Sequence, residues 1–422
     1  MRLAVSSGAL VLAAGLMLGA GVAGPALASA AAHGSGLPRP RAGEWWFTSW
    51  QIQSRVWPLS TGAGVTVAVL DGGVQASVPN LRGSVLPGGD MTGSGTNGTV
   101  DDDYHDDGHG TAMSALIVGN GRGAGIAGIA PQAKILPVRI GGSNHVGSVQ
   151  IPQTAAAGIR FAVSHGAKVI NLSVGVPSPI AHGCFPQLQR AVAYALQHNV
   201  VVVASAGDAG NAGNFPDEPA ACAGVLAVGA VNSHLGLWQG SERQSYVDVA
   251  APGVHIGWSG RDGKYFPIAS GTSQAAAFVS GEVALIRARY PSMPWQQVVQ
   301  RVVVTSLRKG GPSPNDKFGY GVVRIDRAVN ASRYPVAASA PNPVLASYRA
   351  WLTSPAHDIG TVHRHPTVTL APQSGLSGSA LDGLIFLIVV GVVLIAVVIT
   401  VVVVVSRRRA RRRAAPPLGS QS

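Results

Sequence analysis

The sequence predicts an α/β fold with a mostly parallel central sheet, followed by one C-terminal transmembrane helix. Three observations predict it. Short Val/Ile-rich runs alternate with Ala-rich helical patterns from residue 62 to about residue 329, the rhythm of strands joined by crossover helices. The runs are continuously apolar, as in strands covered on both faces. Residues 383–405 are 23 consecutive positions whose only polar side chain is Thr400. At about 1.5 Å per residue, that length crosses a hydrocarbon core of about 30 Å.

Taken in order, residues 1–30 carry Arg2, an apolar stretch over 9–20, and small residues ending in Ala26-Leu27-Ala28 and Ala28-Ser29-Ala30. This is the pattern of a secretory signal peptide, and the short apolar core followed by A-x-A favours it over an uncleaved anchor. Residues 31–61 form a Trp-rich extension holding Trp45, Trp46, Trp50 and Trp57, four of the eight tryptophans. Such density implies burial against the following domain or an exposed binding patch. Within the domain, 62–330, strands are expected at 65–70, 133–140, 168–174, 199–206, 225–231 and 247–253, and helices at 154–164, 188–197 and 273–290. Residues 331–382 shift to Pro, Ala, Ser and Thr, the composition of a tether.

The tail, 406–422, opens with six arginines between Arg407 and Arg413. Positive charge beside a spanning segment holds that side in the cytoplasm, so the chain before it lies outside. A cell-membrane, single-pass protein with an extracytoplasmic domain follows. The length and the basic stop disfavour the alternative of a buried core helix. Those arginines supply half of the formal charge of +12, leaving +6 for the remainder. The positive balance is therefore mostly topology and gives nucleic-acid binding little support. Cys184 and Cys222 both lie in the exported part, where an oxidising compartment permits a disulfide; two free buried thiols are the other reading.

Three stretches carry chemistry, each with an ordinary explanation of its own. VTVAVLDGGV ends an apolar strand with Asp71 at the carboxyl edge of the sheet, where such folds place their sites, although nucleotide and phosphotransfer folds do the same. DDGHGTAMSALIVG carries His109, an imidazole able to shuttle protons near neutrality, although a lone surface histidine is the commoner case. SGTSQAAAFVSG places Ser273 at a helix start, where serine is also a common cap. Together they read differently. Asp71, His109 and Ser273 each sit at a strand end or helix start, in that chain order. In such a set the serine attacks a carbonyl, the histidine takes its proton, and the aspartate fixes the tautomer and stabilises the imidazolium. Asp-His-Ser is the order found in subtilisin.

Across residues 62–328 the sequence resembles the subtilisin-like serine proteases, the subtilases of peptidase family S8. NLSVG (171–175) is similar to the family's strand that pairs with bound peptide, and VDVAAPGVHI (247–256) to another of its fixed segments. The resemblance implies a three-layer subtilisin-like fold and a serine endopeptidase. Signal, catalytic domain, tether, span and basic tail, with GAGVTVAVLD and HGTA, resemble the mycosins, the membrane-anchored subtilases of type VII secretion systems. That implies polypeptide substrates and membrane secretion-complex partners, and the two cysteines fit one of that group's disulfides. By the same resemblance Leu172, Ser173, Val174, Ser205, Ala206 and Gly207 flank the primary specificity pocket, with Asn214 near its floor. About thirty residues separate the signal from the first strand, too few for a separately folding propeptide, so the Trp-rich segment is expected to wrap the domain.

Three positions depart from the family. Where it has an asparagine whose amide donates to the oxyanion, alongside the backbone of Ser273, this chain has Asp208. Losing one such donor costs about 3 to 4 kcal/mol, a magnitude that comes from subtilisin itself. An ionised Asp208 would repel the developing charge. Holding it neutral at pH 7 costs roughly 4 kcal/mol from a reference pKa of about 3.9, which burial would offset. The alternatives are that Asn211 supplies the amide, or that Asp208 merely caps a turn. Gly72 stands where the family has a hydroxyl beside the catalytic aspartate, and Ala277 where it has proline. A slow or pH-shifted protease is expected, with an attenuated scaffold as the alternative. Finally, Asp101, Asp102, Asp103, Asp106 and Asp107 crowd the approach to His109. Such clusters hold calcium, but EF-hand spacing is absent and a solvated acidic loop is the default. No other cofactor or metal is expected.

Overall fold

Each of the six runs read as strands lies in one parallel sheet of a computed structural model that describes residues 36–103, 107–141, 151–178 and 183–354. In chain order the elements open with α1 (Trp45–Ser49), a π-turn at Ile52–Val56, β1 (Thr66–Asp71), β2 (Gly89–Asp90), α2 (His109–Val118), β3 (Lys134–Arg139), α3 (Ile151–Ser164) and β4 (Val169–Leu172). Next come β5 (Val176–Pro177), α4 (Pro186–Gln197), β6 (Val201–Ser205), β7 (Asp217–Glu218), β8 (Leu226–Val231) and β9 (Val247–Pro252). The described chain closes with β10 (Val254–Ser259), β11 (Tyr265–Ser270), α5 (Thr272–Arg289), α6 (Trp295–Thr305), α7 (Ile325–Ala328) and α8 (Pro343–Leu352).

The sheet runs β2-β3-β1-β4-β6-β8-β9. Every pairing in it is parallel. Its strands are buried at nearly every position, which is why they read as unbroken Val/Ile/Ala runs: both faces are covered. Helices α2 and α5 pack together, as do α3 and α4, a pair for each face. β3 and β4 lie on opposite sides of β1, so the direction of winding changes there. The carboxyl ends of strands at such a switch point frame a crevice, and Asp71 ends β1 at that place.

The Trp-rich segment wraps the domain. Trp46, Trp50 and Trp57 are buried, Trp46 meets Phe278 of α5 edge-on at 6.2 Å, and the indole N–H groups of Trp50 and Trp57 donate to Val323 O (2.7 Å) and Ile129 O (2.9 Å). The structure differs from the expected tether over 331–382: α8 lies within it, with Val344 and Tyr348 buried and Tyr348 edge-on to Trp295 of α6. The hairpin β10–β11 carries no period that a reading of the sequence detects. Cys184 and Cys222 are joined in a disulfide, Cα atoms 4.9 Å apart.

The expected signal peptide, the span at 383–405 and the basic tail lie outside the described residues. Among the described residues no helix is long and apolar enough to cross a membrane.

Candidate active site

Three local sequences bring their side chains to one crevice. Asp71, buried at the end of β1, accepts from the N–H of Gly72 (2.8 Å). His109 opens α2, and its Nδ1 lies 2.9 Å from Asp71 Oδ2 and 3.0 Å from Oδ1. The neighbours of this histidine explain HGT. A Cβ at Gly110 would stand 2.1 Å from Gly73 O and 2.9 Å from Asp71 Cβ, so only glycine lets α2 approach β1 this closely. Thr111 donates its N–H and hydroxyl to Asp101 Oδ2 (2.8 and 2.6 Å) and accepts from Gln75 N, tying the acidic loop to the helix. Ser273 begins α5. Its Oγ donates to Ser173 O (3.0 Å), and Ser173 Oγ donates to Ser273 O (2.9 Å), which locks the start of α5 to the segment after β4.

Asp71, His109 and Ser273 line one cavity of about 870 Å³ together with Ser173, Val174, Asp208 and Gln274. His109 is 19% exposed and faces it. An acid holding an imidazole on the wall of a cavity that a serine hydroxyl also lines, with room for a polypeptide segment, is suited to acyl transfer.

Around this set the expected residues divide. Asp208 is at the cavity, whereas Asn211 is exposed and does not line it. Asp208 is exposed rather than buried, so the burial invoked to keep it neutral is not found. Its Oδ1 accepts the N–H (2.9 Å) and hydroxyl (2.5 Å) of Thr272, so the carboxylate caps the start of α5 from the segment after β6 and not its own turn. Ser173 and Val174 line the cavity. Leu172 is fully buried and belongs to the sheet core. Ser205 and Ala206 are likewise buried, and behind Gly207 stands the carboxylate of Glu242, within 2.6 Å of where a Cβ would be. Asn214 uses its amide on Arg243, donating to its carbonyl (3.0 Å) and accepting its N–H (2.7 Å), so it braces a loop instead of flooring the cavity. Ala277 is buried within α5.

Burial governs the acids near the crevice. Asp101 is pushed up to about 6, by burial first and the nearby Asp71 charge as well, against the hydrogen bonds from Thr111. Asp217 rises to about 6, through burial and then Asp208 and Glu218. Glu242 rises to about 7, through burial and then Asp217. For the calcium reading, Asp101 is committed to Thr111 and Asp102 pairs with Arg139, while Asp106 lies outside the described residues. Reading the sequence missed Trp258 and Gln274 on the cavity wall. Trp258 carries no local signal, and Gln274, although it directly follows Ser273, reads as an ordinary polar residue in an Ala-rich helix.

A family model described as the subtilase family matches residues 62–321. Subtilisin Savinase of Lederbergia lenta is 33% identical over 271 residues, spanning 64% of this chain and 91% of that protein. Fervidolysin of Fervidobacterium pennivorans is 31% identical over 313 residues, 68% of this chain but 43% of its own length, so the chain spans under half of that relative. Among solved structures, a serine protease MycP1, an essential component of the type VII (ESX-1) secretion system, aligns with a TM-score of 0.59 at 29% identity. That alignment covers 69% of this chain and 91% of MycP1.

Proposed function

The chain belongs to the subtilase family of serine endopeptidases, and on that premise we propose that it is anchored in the cell membrane and cleaves exported polypeptides outside the cytoplasm through an acyl-enzyme. The observation that carries this reading is the Asp71–His109 contact of 2.9 Å on the wall of the cavity that holds Ser273. Ser273 Oγ turns from Ser173 O toward the imidazole, attacks the scissile carbonyl and gives its proton to His109, while Asp71 holds Nδ1–H and stabilises the imidazolium. His109 then protonates the leaving amine, and water repeats the cycle on the ester.

Support for the setting comes from the span at 383–405, the arginines after it, and the structural likeness to MycP1. These point to a membrane secretion complex of the type VII class as the partner. The test is labelling of intact cells expressing the full chain with a membrane-impermeant fluorophosphonate, then fractionation. Label is expected on Ser273 in the membrane fraction, with at least 100-fold loss in Ser273→Ala and His109→Ala, a floor well below the roughly 10⁴-fold loss that follows damage to one member of such a set. Absence of label between pH 4 and 9 rules out catalysis; label appearing only after lysis rules out the topology.

A second reading is favoured by Asp208, a carboxylate at the position matched to the family's oxyanion-donating asparagine: an attenuated subtilase that braces a secretion complex. Ser273→Ala restoring secretion in a deletion strain would establish it, and failure to restore would leave the protease.

A further inference from the structure

Gly175 lines the cavity, two residues on from Ser173, whose carbonyl and hydroxyl hold Ser273. An acid stands behind it. Asp217 opens β7, which pairs antiparallel with β5 and sets Asp217 opposite Pro177. Its side chain lies against Gly175, at the cavity end of β5: a Cβ on that glycine would stand 2.6 Å from Asp217 Oδ2. The missing side chain at Gly175 thus leaves the carboxylate next to the cavity wall. The backbone of Asp217 is fixed, its N–H donating to Tyr246 Oη (3.1 Å) and its carbonyl accepting from Ala221 N (2.9 Å).

The Asp217 carboxylate is buried without a partner. The residue is 9% exposed; among the described residues no donor bonds to either carboxylate oxygen, and the ion pairs join other groups. Its neighbours make matters worse. Tyr246 Oη lies 2.9 Å from both Ala206 O and Glu242 Oε2, and Glu242 is fully buried, its Oε1 with no hydrogen-bond partner. After burial, the charges of Asp208 and Glu218 act against ionisation of Asp217, and the charge of Asp217 against that of Glu242. Unpaired buried charge is costly, and a cation that arrives with hydrogen-bond donors removes the cost. One metal ion does not meet the need: among the described residues only Cys184, Glu218 and Cys222 gather closely enough for that, and those two sulfurs are joined. What fits is an extended cation that brings its own donors on an apolar stem, the side chain of lysine or arginine.

We propose that Asp217 determines specificity: the substrate residue whose carbonyl Ser273 attacks is a lysine or arginine, its stem passing Gly175 and its charge pairing with the Asp217 carboxylate, with Glu242 as a further negative charge behind. The inference rests on the serine-endopeptidase reading above. Ser173, bonded to Ser273, and Gly175, in contact with Asp217, are at most about 7 Å apart along the chain. The four-carbon stem of lysine suits that span, and arginine can present two parallel N–H groups to the carboxylate. Alanine or valine stops short and leaves Asp217 unpaired. A glutamate would meet like charge.

The test uses the full chain in membranes and compares kcat/KM for peptide anilides that differ only in the residue before the scissile bond: lysine, its uncharged analogue norleucine, and glutamate. Wild type is expected to favour lysine over norleucine by about 30-fold or more, the effect of pairing a buried charge, with glutamate slowest. Asp217→Asn, equal in size, is expected to bring lysine and norleucine within about threefold of each other, chiefly by slowing the lysine substrate. Far-ultraviolet circular dichroism and melting temperature verify that the variant folds. A wild-type chain with no lysine preference overturns the proposal whether or not the variant folds. So does an Asp217→Asn chain that keeps the preference, or one that slows both substrates alike, since that marks a packing role. Fluorophosphonate labelling of the wild type separates the two readings: Ser273-dependent label without lysine preference removes this inference alone, and absence of that label removes the protease reading with it.

Discussion

At Asp208 the hydrogen bonds run in one direction. Both donors of Thr272 reach Oδ1, so an asparagine there would keep its carbonyl oxygen in place and turn an N–H₂ to where Oδ2 now stands, at the cavity that Ser273 also lines. Asp208→Asn is therefore expected to raise kcat at neutral pH, by about 10-fold or more, since one oxyanion donor is worth about 10² to 10³. An unchanged or lower rate in a steady-state assay of the full chain would show that this carboxylate does not face the reacting oxygen. Gly72 is milder. Its own N–H supplies a hydrogen bond to Asp71 Oδ1, so the aspartate stays oriented without a neighbouring hydroxyl. These residues show why the site was partly legible. Asp71, His109 and Ser273 sit in stretches whose local chemistry is unusual, with glycines that permit close approach. Gln274 looked like an ordinary polar residue in an Ala-rich helix, and Asn214 like a pocket residue; only the fold shows which of their atoms are already spoken for.

Elements outside the sheet do more than the composition suggested. The segment from α1 through the π-turn adds Trp46, Phe47, Trp50, Ile52, Val56 and Trp57 to the core, three of them against or near Phe278 and Ile129. Trp46→Ala is expected to cost about 3 to 5 kcal/mol, the usual loss for emptying a large aromatic site. Urea denaturation of the soluble domain would read it as a lower midpoint with an unchanged slope. A loss under 1 kcal/mol would mean that the segment is a dispensable strap. Helix α8 carries the same lesson at the other end. Its Pro- and Ala-rich surroundings read as tether, yet Asn342 caps it by accepting from Leu345 N (3.0 Å), and Gln300 of α6 donates to Ala340 O (2.6 Å). Composition reports average solvation, whereas docking of α8 depends on a few side chains, Val344 and Tyr348 among them.

Across the whole molecule, buried carboxyl groups couple the fold to pH. Burial pushes Glu44 and Glu242 up to about 7 and Asp248 up to about 8, with Asp101 and Asp217 at about 6. A folded-state pKa above the unfolded value of about 4 means that the folded chain holds more protons in this window. Stability is therefore full below pH 4 to 5 for these groups and falls as pH rises toward 8, each contributing up to about 1.4 kcal/mol per pH unit. Asp90 moves the other way: burial opposes ionisation, but donors from Ser94, Thr92 and Thr96 hold its pKa down. Its stabilisation is complete above the ordinary carboxylate range and leaves the slope between 5 and 8 unaltered. The melting temperature is expected to be higher at pH 5 than at pH 8. Asp248→Asn, which can still accept from Ala227 N–H, should flatten that slope. Equal melting temperatures at the two pH values in wild type would remove the claim.

By itself the sequence determined the class of fold and singled out three side chains that line one cavity, because strands buried on both faces must be written in unbroken apolar runs and because glycine is compulsory where backbone meets backbone. What only the tertiary structure decided is which polar atoms remain unspent. Hydrogen bonding is a pairing problem over the entire chain: Asp208 is committed as an acceptor because Thr272 is 64 residues away in sequence and adjacent in space, and the buried amide oxygen of Gln274 has no partner among the described residues.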